Sequence, residues 1–139
     1  MENHSIWETL DLKKDSPNVF KELKKQAESL ADKTEGLLYA EVNPIDAYEE
    51  PNMDLGVVYN FYVYAPYLGN FRSMLFTVVE VRDKIYVVDR INRTEKKEVD
   101  NIGGLIDIMN GIISSTEVSK LISNLYASSL EVKRSDYHT

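Results

Sequence analysis

The residues of this chain that could do chemistry are few, and they are placed awkwardly for it. Its two histidines, His4 and His138, stand near the two ends. A Ser-His-Asp triad, a His-based metal site or a His general acid would therefore require a terminal tail to fold into a cleft. There is no cysteine, which removes disulfides, thiolate zinc sites and thiol nucleophiles together. Carboxylate chemistry needs neither residue type. Asp89, at the end of the apolar run Ile85 to Val88, is the acid best placed for burial in a site, although closing a strand or pairing with Arg90 or Arg72 is the plainer role.

Asp46, Glu49, Glu50 and Asp54 gather between Pro44 and Asp54 and could hold a hard cation. The D-x-D-x-D-G spacing of a calcium loop is missing, so a solvated loop is expected. Arg90, Arg93, Lys96 and Lys97 could meet a phosphate, but they alternate with Glu95, Glu98 and Asp100 and read as a solvated turn. Gly103-Gly104 opens a helix without a G-x-G-x-x-G pattern or a following Lys-Ser/Thr. Close packing of that helix on the sheet is the expectation there, and no nucleotide site. Neither a metal site nor a cofactor is predicted.

The more telling residues are aromatic. From Leu55 to Ala65 the chain alternates, with Leu55, Val57, Tyr59, Phe61, Val63 and Ala65 on one face and Val58, Asn60, Tyr62 and Tyr64 on the other. If helices cover the first face, the second displays tyrosines, which offer large rigid contact area with a polar tip. Asn60, Tyr62 and Tyr64, with Tyr67 and Phe71 from the adjacent turn, are the predicted partner-binding residues. Cross-strand stabilisation is the structural role that such a face would otherwise serve.

The elements that position these residues read as an α+β domain. A helix is predicted from the cap Ser16-Pro17 to about Thr34, with Phe20, Leu23, Ala27, Leu30 and Thr34 on its inner face and Gly36 ending it. A first strand follows from Leu37 to about Val42, placed by Pro44 at an edge or a bulge. Strands Leu55 to Ala65, Arg72 to Arg82 and Lys84 to Arg90 come next, joined by connections too short for parallel crossovers. Ile91 to Lys97 reads as a polar turn. Asp100 or Asn101 then caps a helix to Ile113, carrying Ile102, Leu105, Ile106, Met109, Ile112 and Ile113 on one stripe. Ser114-Ser115-Thr116-Glu117 starts a last helix to about Leu130, with Val118, Leu121, Ile122, Leu125 and Tyr126 inward. The fold predicted is an antiparallel meander of four to five strands packed with one N-terminal and two C-terminal helices, in the order α-β-β-β-β-α-α. It forms one domain over 1–139, with 1–15 an arm that docks Trp7 on the domain and 131–139 a loose tail.

The 139 residues suffice for one core. The net charge is −7, from 16 basic and 23 acidic residues, and residues 1–50 hold 12 of those acids against 6 lysines. That balance opposes binding to nucleic acid or to an anionic membrane, whose affinity rests on lysine and arginine. No stretch approaches a membrane span, and the N-terminal residues lack the pattern of a signal peptide, so a cytoplasmic location is expected.

Three stretches, Leu23 to Val42, Phe61 to Val78 and Ile112 to Ser129, resemble a pattern in small uncharacterised bacterial single-domain proteins. The resemblance implies a bacterial single-domain unit and brings no activity or functional residue with it. The function expected is a non-catalytic protein-interaction module, immunity-type or chaperone-like, binding a protein partner or a second copy. The alternative is a small-ligand binder or carboxylate-dependent enzyme with a pocket between sheet and helices and Asp89 or Glu80 at its mouth.

Overall fold

Phe61 and Phe76 lie stacked at the centre of a five-stranded sheet, their ring centroids 4.6 Å apart and their planes 11° from parallel. All three helices pack on the side of the sheet that this pair faces. The computed structural model describes residues 5–45 and 56–136. In chain order the elements are α1 (Val19–Lys33), β1 (Tyr39–Ile45), β2 (Val57–Ala65), β3 (Phe71–Val81), β4 (Lys84–Asp89), β5 (Lys97–Val99), α2 (Ile102–Ile113) and α3 (Thr116–Asp136). The strands lie in sequence order and every neighbouring pair is antiparallel. This is the predicted α+β meander, with the strand number at five. Pro44, which cannot donate to a ladder, sits in the edge strand β1. No described helix is long and apolar enough to cross a membrane.

Several boundaries differ from the sequence reading. The helix α1 is capped by Asn18, whose Oδ1 accepts from the Lys21 N–H at 2.9 Å, two residues after the expected Ser16. Its buried stripe is Val19, Leu23 and Ala27, and Phe20 sits at the margin of the helix–sheet contact, 38% exposed and stacked on Tyr59 with centroids 5.8 Å apart. Beyond Lys33 the Gly36 N–H reaches the Ala31 carbonyl and the Glu35 N–H that of Asp32, the paired bonds of a Schellman ending.

A short strand not separately assigned in the sequence, β5, starts at the last residue of the expected turn Ile91 to Lys97 and is held to β4 by the register Tyr86↔Glu98 and by a 2.9 Å ion pair between Lys84 and Glu98. The helix α3 runs to Asp136 rather than stopping near Leu130, because neither Gly nor Pro interrupts the helix formers Leu130, Glu131, Lys133 and Arg134. Trp7 does not dock on the domain: it is 68% exposed, in a turn that closes on itself through the Glu8 N–H to Ser5 carbonyl bond. Leu55 and the acidic stretch 46–54 lie outside the described residues, as do His4 and His138.

One core joins the helices to the sheet. Val19, Leu23 and Ala27 of α1, Leu105, Met109 and Ile112 of α2, and Val118 and Leu125 of α3 enclose Tyr59, Phe61, Val63, Phe76, Val78, Ile85 and Val87. Two glycines permit close approaches. A Cβ on Gly56 would stand 2.7 Å from Val81 Cγ2, and one on Gly104 would stand 3.1 Å from Val99 Cβ. The second is the helix-on-sheet packing expected of the Gly103-Gly104 pair.

Leu23 is fully buried, so Leu23→Ala is expected to cost ~2–5 kcal/mol in chemical denaturation. Ser129 is fully buried in α3 and its hydroxyl has no hydrogen-bond partner. Ser129→Ala should therefore raise stability by ~1 kcal/mol in the same assay. Burial, and secondly the Glu80 carboxylate, raise the pKa of the Tyr59 hydroxyl above its ordinary 10.0. A folded-state pKa raised in this way supports stability below the unfolded value and loses it as pH rises through the folded one. The denaturation midpoint of the wild type should thus fall more steeply above pH ~10 than that of Tyr59→Phe.

Candidate functional site

The face of the sheet away from the helices carries the residues singled out in the sequence. Among the described residues, every buried apolar residue of the three helices belongs to the cluster on the Tyr59 side. The opposite face is built from alternate positions matched by register: Glu41 beside Tyr62, Asn60 beside Thr77, Tyr62 beside Met74, Tyr64 beside Arg72, and Val79 beside Tyr86.

Two zones divide this face. Its centre is dry, with Val58, Asn60, Thr77 and Val79 all buried. Across it runs a chain of hydrogen bonds: the Arg90 Nε–H donates to Thr77 Oγ1 at 2.9 Å, and the Thr77 hydroxyl donates to Asn60 Oδ1 at 2.8 Å. Such a chain satisfies polar groups that burial would otherwise penalise. Toward the β2–β3 turn the face opens. There the Arg72 guanidinium lies over the Tyr62 ring, 4.0 Å from its centroid, while its Nη2 pairs with Glu41 at 3.0 Å. The Tyr64 hydroxyl donates to Asn70 Oδ1 at 2.6 Å, so both tyrosines are half-buried and held.

The five predicted partner-binding residues do not form one patch. Asn60 is only 5% exposed and is occupied by Thr77, so it supports the face from beneath. Tyr62 and Tyr64 share the open end. Tyr67 is 37% exposed in the turn beyond them. Phe71, 41% exposed, pairs with Ala65, which belongs to the helix-side cluster, and so lies on the opposite side of the sheet from Tyr62 and Tyr64. The cause is a bulge. The register passes from Phe61↔Phe76 directly to Tyr62↔Met74, leaving Leu75 over and inverting the alternation of every β3 residue before it. That inversion also brings Arg72 onto the tyrosine face, a residue which period-two reading did not place there.

Of the two acids expected at the mouth of a pocket, Asp89 also shapes the chain after β4. Asp89 Oδ1 accepts from the Ile91 and Asn92 N–H groups at 3.0 and 2.9 Å, and Oδ2 accepts from Asn92 Nδ2 at 2.8 Å. Asn92 Nδ2 also donates to Ser115 Oγ at 3.0 Å. Asp89 thereby forms the turn after β4 and ties it to the corner between α2 and α3. Asp89 also lines a cleft of about 480 Å³ between β4, β5 and α2, with Asn92, Glu95, Asp107 and Ser115 beside it, whereas a cleft of about 320 Å³ between α1, α2 and the sheet contains neither Asp89 nor Glu80. Among the described residues no three His, Asp or Glu side chains converge as metal ligands would. The Lys96 Nζ, expected in a solvated turn, sits 4.6 Å from the centroid of the Tyr86 ring.

No family model, curated protein or solved structure matches the chain significantly, so the functional reading rests on this geometry.

The buried polar chain yields a direct expectation. Thr77→Val keeps the shape but removes the hydroxyl between Arg90 and Asn60, and should cost ~1–3 kcal/mol in chemical denaturation. Thr77→Ser, which keeps the hydroxyl, should recover most of that loss.

Proposed function

We propose that this protein is a non-catalytic protein-interaction module, of an immunity-type or chaperone-like kind, and that it meets its partner through the Tyr62, Tyr64 and Arg72 end of the non-helical sheet face. The observation that carries the reading is the Arg72–Tyr62 pair. A guanidinium stacked at 4.0 Å on a half-buried ring and anchored by Glu41 at 3.0 Å is fixed before any partner arrives. Tyrosine and arginine are the residue types enriched among interface residues of large energetic effect. Fixing them in advance lowers the entropy lost on binding.

The same end of the sheet adds Tyr64, held by Asn70, and the exposed Tyr67. Asn60 and Thr77 contribute rigidity from below, without contact of their own. A net charge of −7 favours a partner of opposite charge through long-range steering.

The test pairs Tyr62→Ala with Tyr64→Ala, after circular dichroism shows the fold intact. Self-association by analytical ultracentrifugation and capture of proteins from the native cell are then compared with the wild type. The proposal expects one of the two to be lost, since a second copy could be the partner. Unchanged behaviour in both assays would leave these rings as cross-strand packing only.

A further inference from the structure

Two apolar features of this chain stand unmatched, and they complement each other. The first is the arm before α1. Ile6, Trp7, Leu10 and Leu12 are all exposed there, in a segment tied to α1 by the Lys21 ammonium, which donates to the Asp15 carbonyl at 3.4 Å. Single exposed apolar residues are ordinary on a protein surface, but four within seven positions are an apolar strip of the kind that marks an interaction segment.

The second feature is the cleft over the Phe61–Phe76 stack. The helix α1 packs against β1 and α2 against β4 and β5, which leaves the middle of the helix-side face between them. Phe61, Phe76 and Met109 lie at its bottom and are already buried, so its accessible apolar surface is the rim of Leu30, Ile106, Ile113 and Ile122, and Lys33 is the one charged residue of the lining. Its volume of about 320 Å³ leaves room for an indole ring.

We infer that the arm of one copy seats Trp7 in the cleft of a second copy, and that the second arm does the same in return. A reciprocal exchange of this kind closes as a twofold dimer, since the same two surfaces meet twice. Ten residues, Glu8 to Pro17, lie between Trp7 and the cap Asn18, and at ~3.3–3.6 Å per extended residue they can reach well beyond the chain's own helix. In this structure the chain's own arm stands away from its cleft, with Trp7 68% exposed. The lining suits the arm in charge as well: Lys33 faces a segment whose acids, Glu8, Asp11 and Asp15, outnumber its lysines, Lys13 and Lys14. An arm this short makes an interface at the small end of the range, so monomer and dimer should exchange with concentration. The exchange uses the helix side and leaves the Tyr62 and Tyr64 face free for the partner proposed above.

Trp7 is the chain's only tryptophan, so its emission reports the seat directly. On concentrating the full chain, sedimentation should pass from monomer to dimer and the emission should move to shorter wavelength in step. In methyl-labelled protein the Met109 signal should shift over the same range, while Met74, on the opposite face, stays still. Trp7→Ala, on the exposed arm, should weaken the dimer at least tenfold with the fold unchanged. Ile106→Lys, at a half-buried rim position, should do the same and hold Trp7 at its solvent-exposed emission. The inference is overturned by any of three results: a monomer with exposed Trp7 at all concentrations, a dimer indifferent to Trp7→Ala, or a blue-shifted emission independent of concentration, which would seat the arm on its own chain.

Discussion

One extra residue in β3 decides which side chains look which way. Because Leu75 is left over between the pairs Phe61↔Phe76 and Tyr62↔Met74, two consecutive residues, Leu75 and Phe76, both enter the helix-side core. The Leu75 carbonyl accepts the Arg90 N–H at 3.0 Å, continuing the β3–β4 register one pair past Phe76↔Asp89, so this group is satisfied at the bulge. From that point toward the turn each β3 residue has changed faces. Arg72 meets Tyr62, Met74 lies beside it, and Phe71 goes to the other side. The dry core and the aromatic face are thus products of the same irregularity.

The two faces obey different physics. On the helix side, apolar area removed from water holds the sheet to α1, α2 and α3, with the Phe61–Phe76 stack adding a directional contact at the centre. On the other side, Val58 and Val79 are fully buried around a satisfied polar series of Arg90, Thr77 and Asn60, and Arg72 pairs with Glu41 and Lys84 with Glu98 toward solvent. Exposed ion pairs of this sort contribute little to folding. Their effect is to hold aromatic rings in place, which is what an interaction surface requires.

Much of the fold was legible because alternation and helical period are local signals. The strand Val57–Ala65 reads cleanly, and the placement of Pro44 at an edge follows from its missing donor. The bulge was not legible, since Met74, Leu75 and Phe76 are all apolar and no Gly or Pro marks the shift. Phe71 was therefore grouped with tyrosines it does not accompany, and Arg72 was passed over. Asn60 reads as a surface residue by type but is buried, its side-chain oxygen taken by Thr77 of β3, which in turn accepts from Arg90 just past β4. The strand β5 is three residues long and carries two charges, too little for a pattern. Val19 lies in line with Leu23 and Ala27 at four-residue steps and is buried with them, which leaves Phe20 at the edge of that stripe.

The placement of Leu75 is what the division of faces rests on, and cross-strand nuclear Overhauser effects test it most directly. Backbone proton contacts should pair Phe61 with Phe76 and Tyr62 with Met74, with an aromatic contact from the Tyr62 ring to the Arg72 side chain. If Tyr62 pairs with Leu75 instead, β3 runs without a bulge, Arg72 belongs to the helix side, and the assignment of the two faces is wrong.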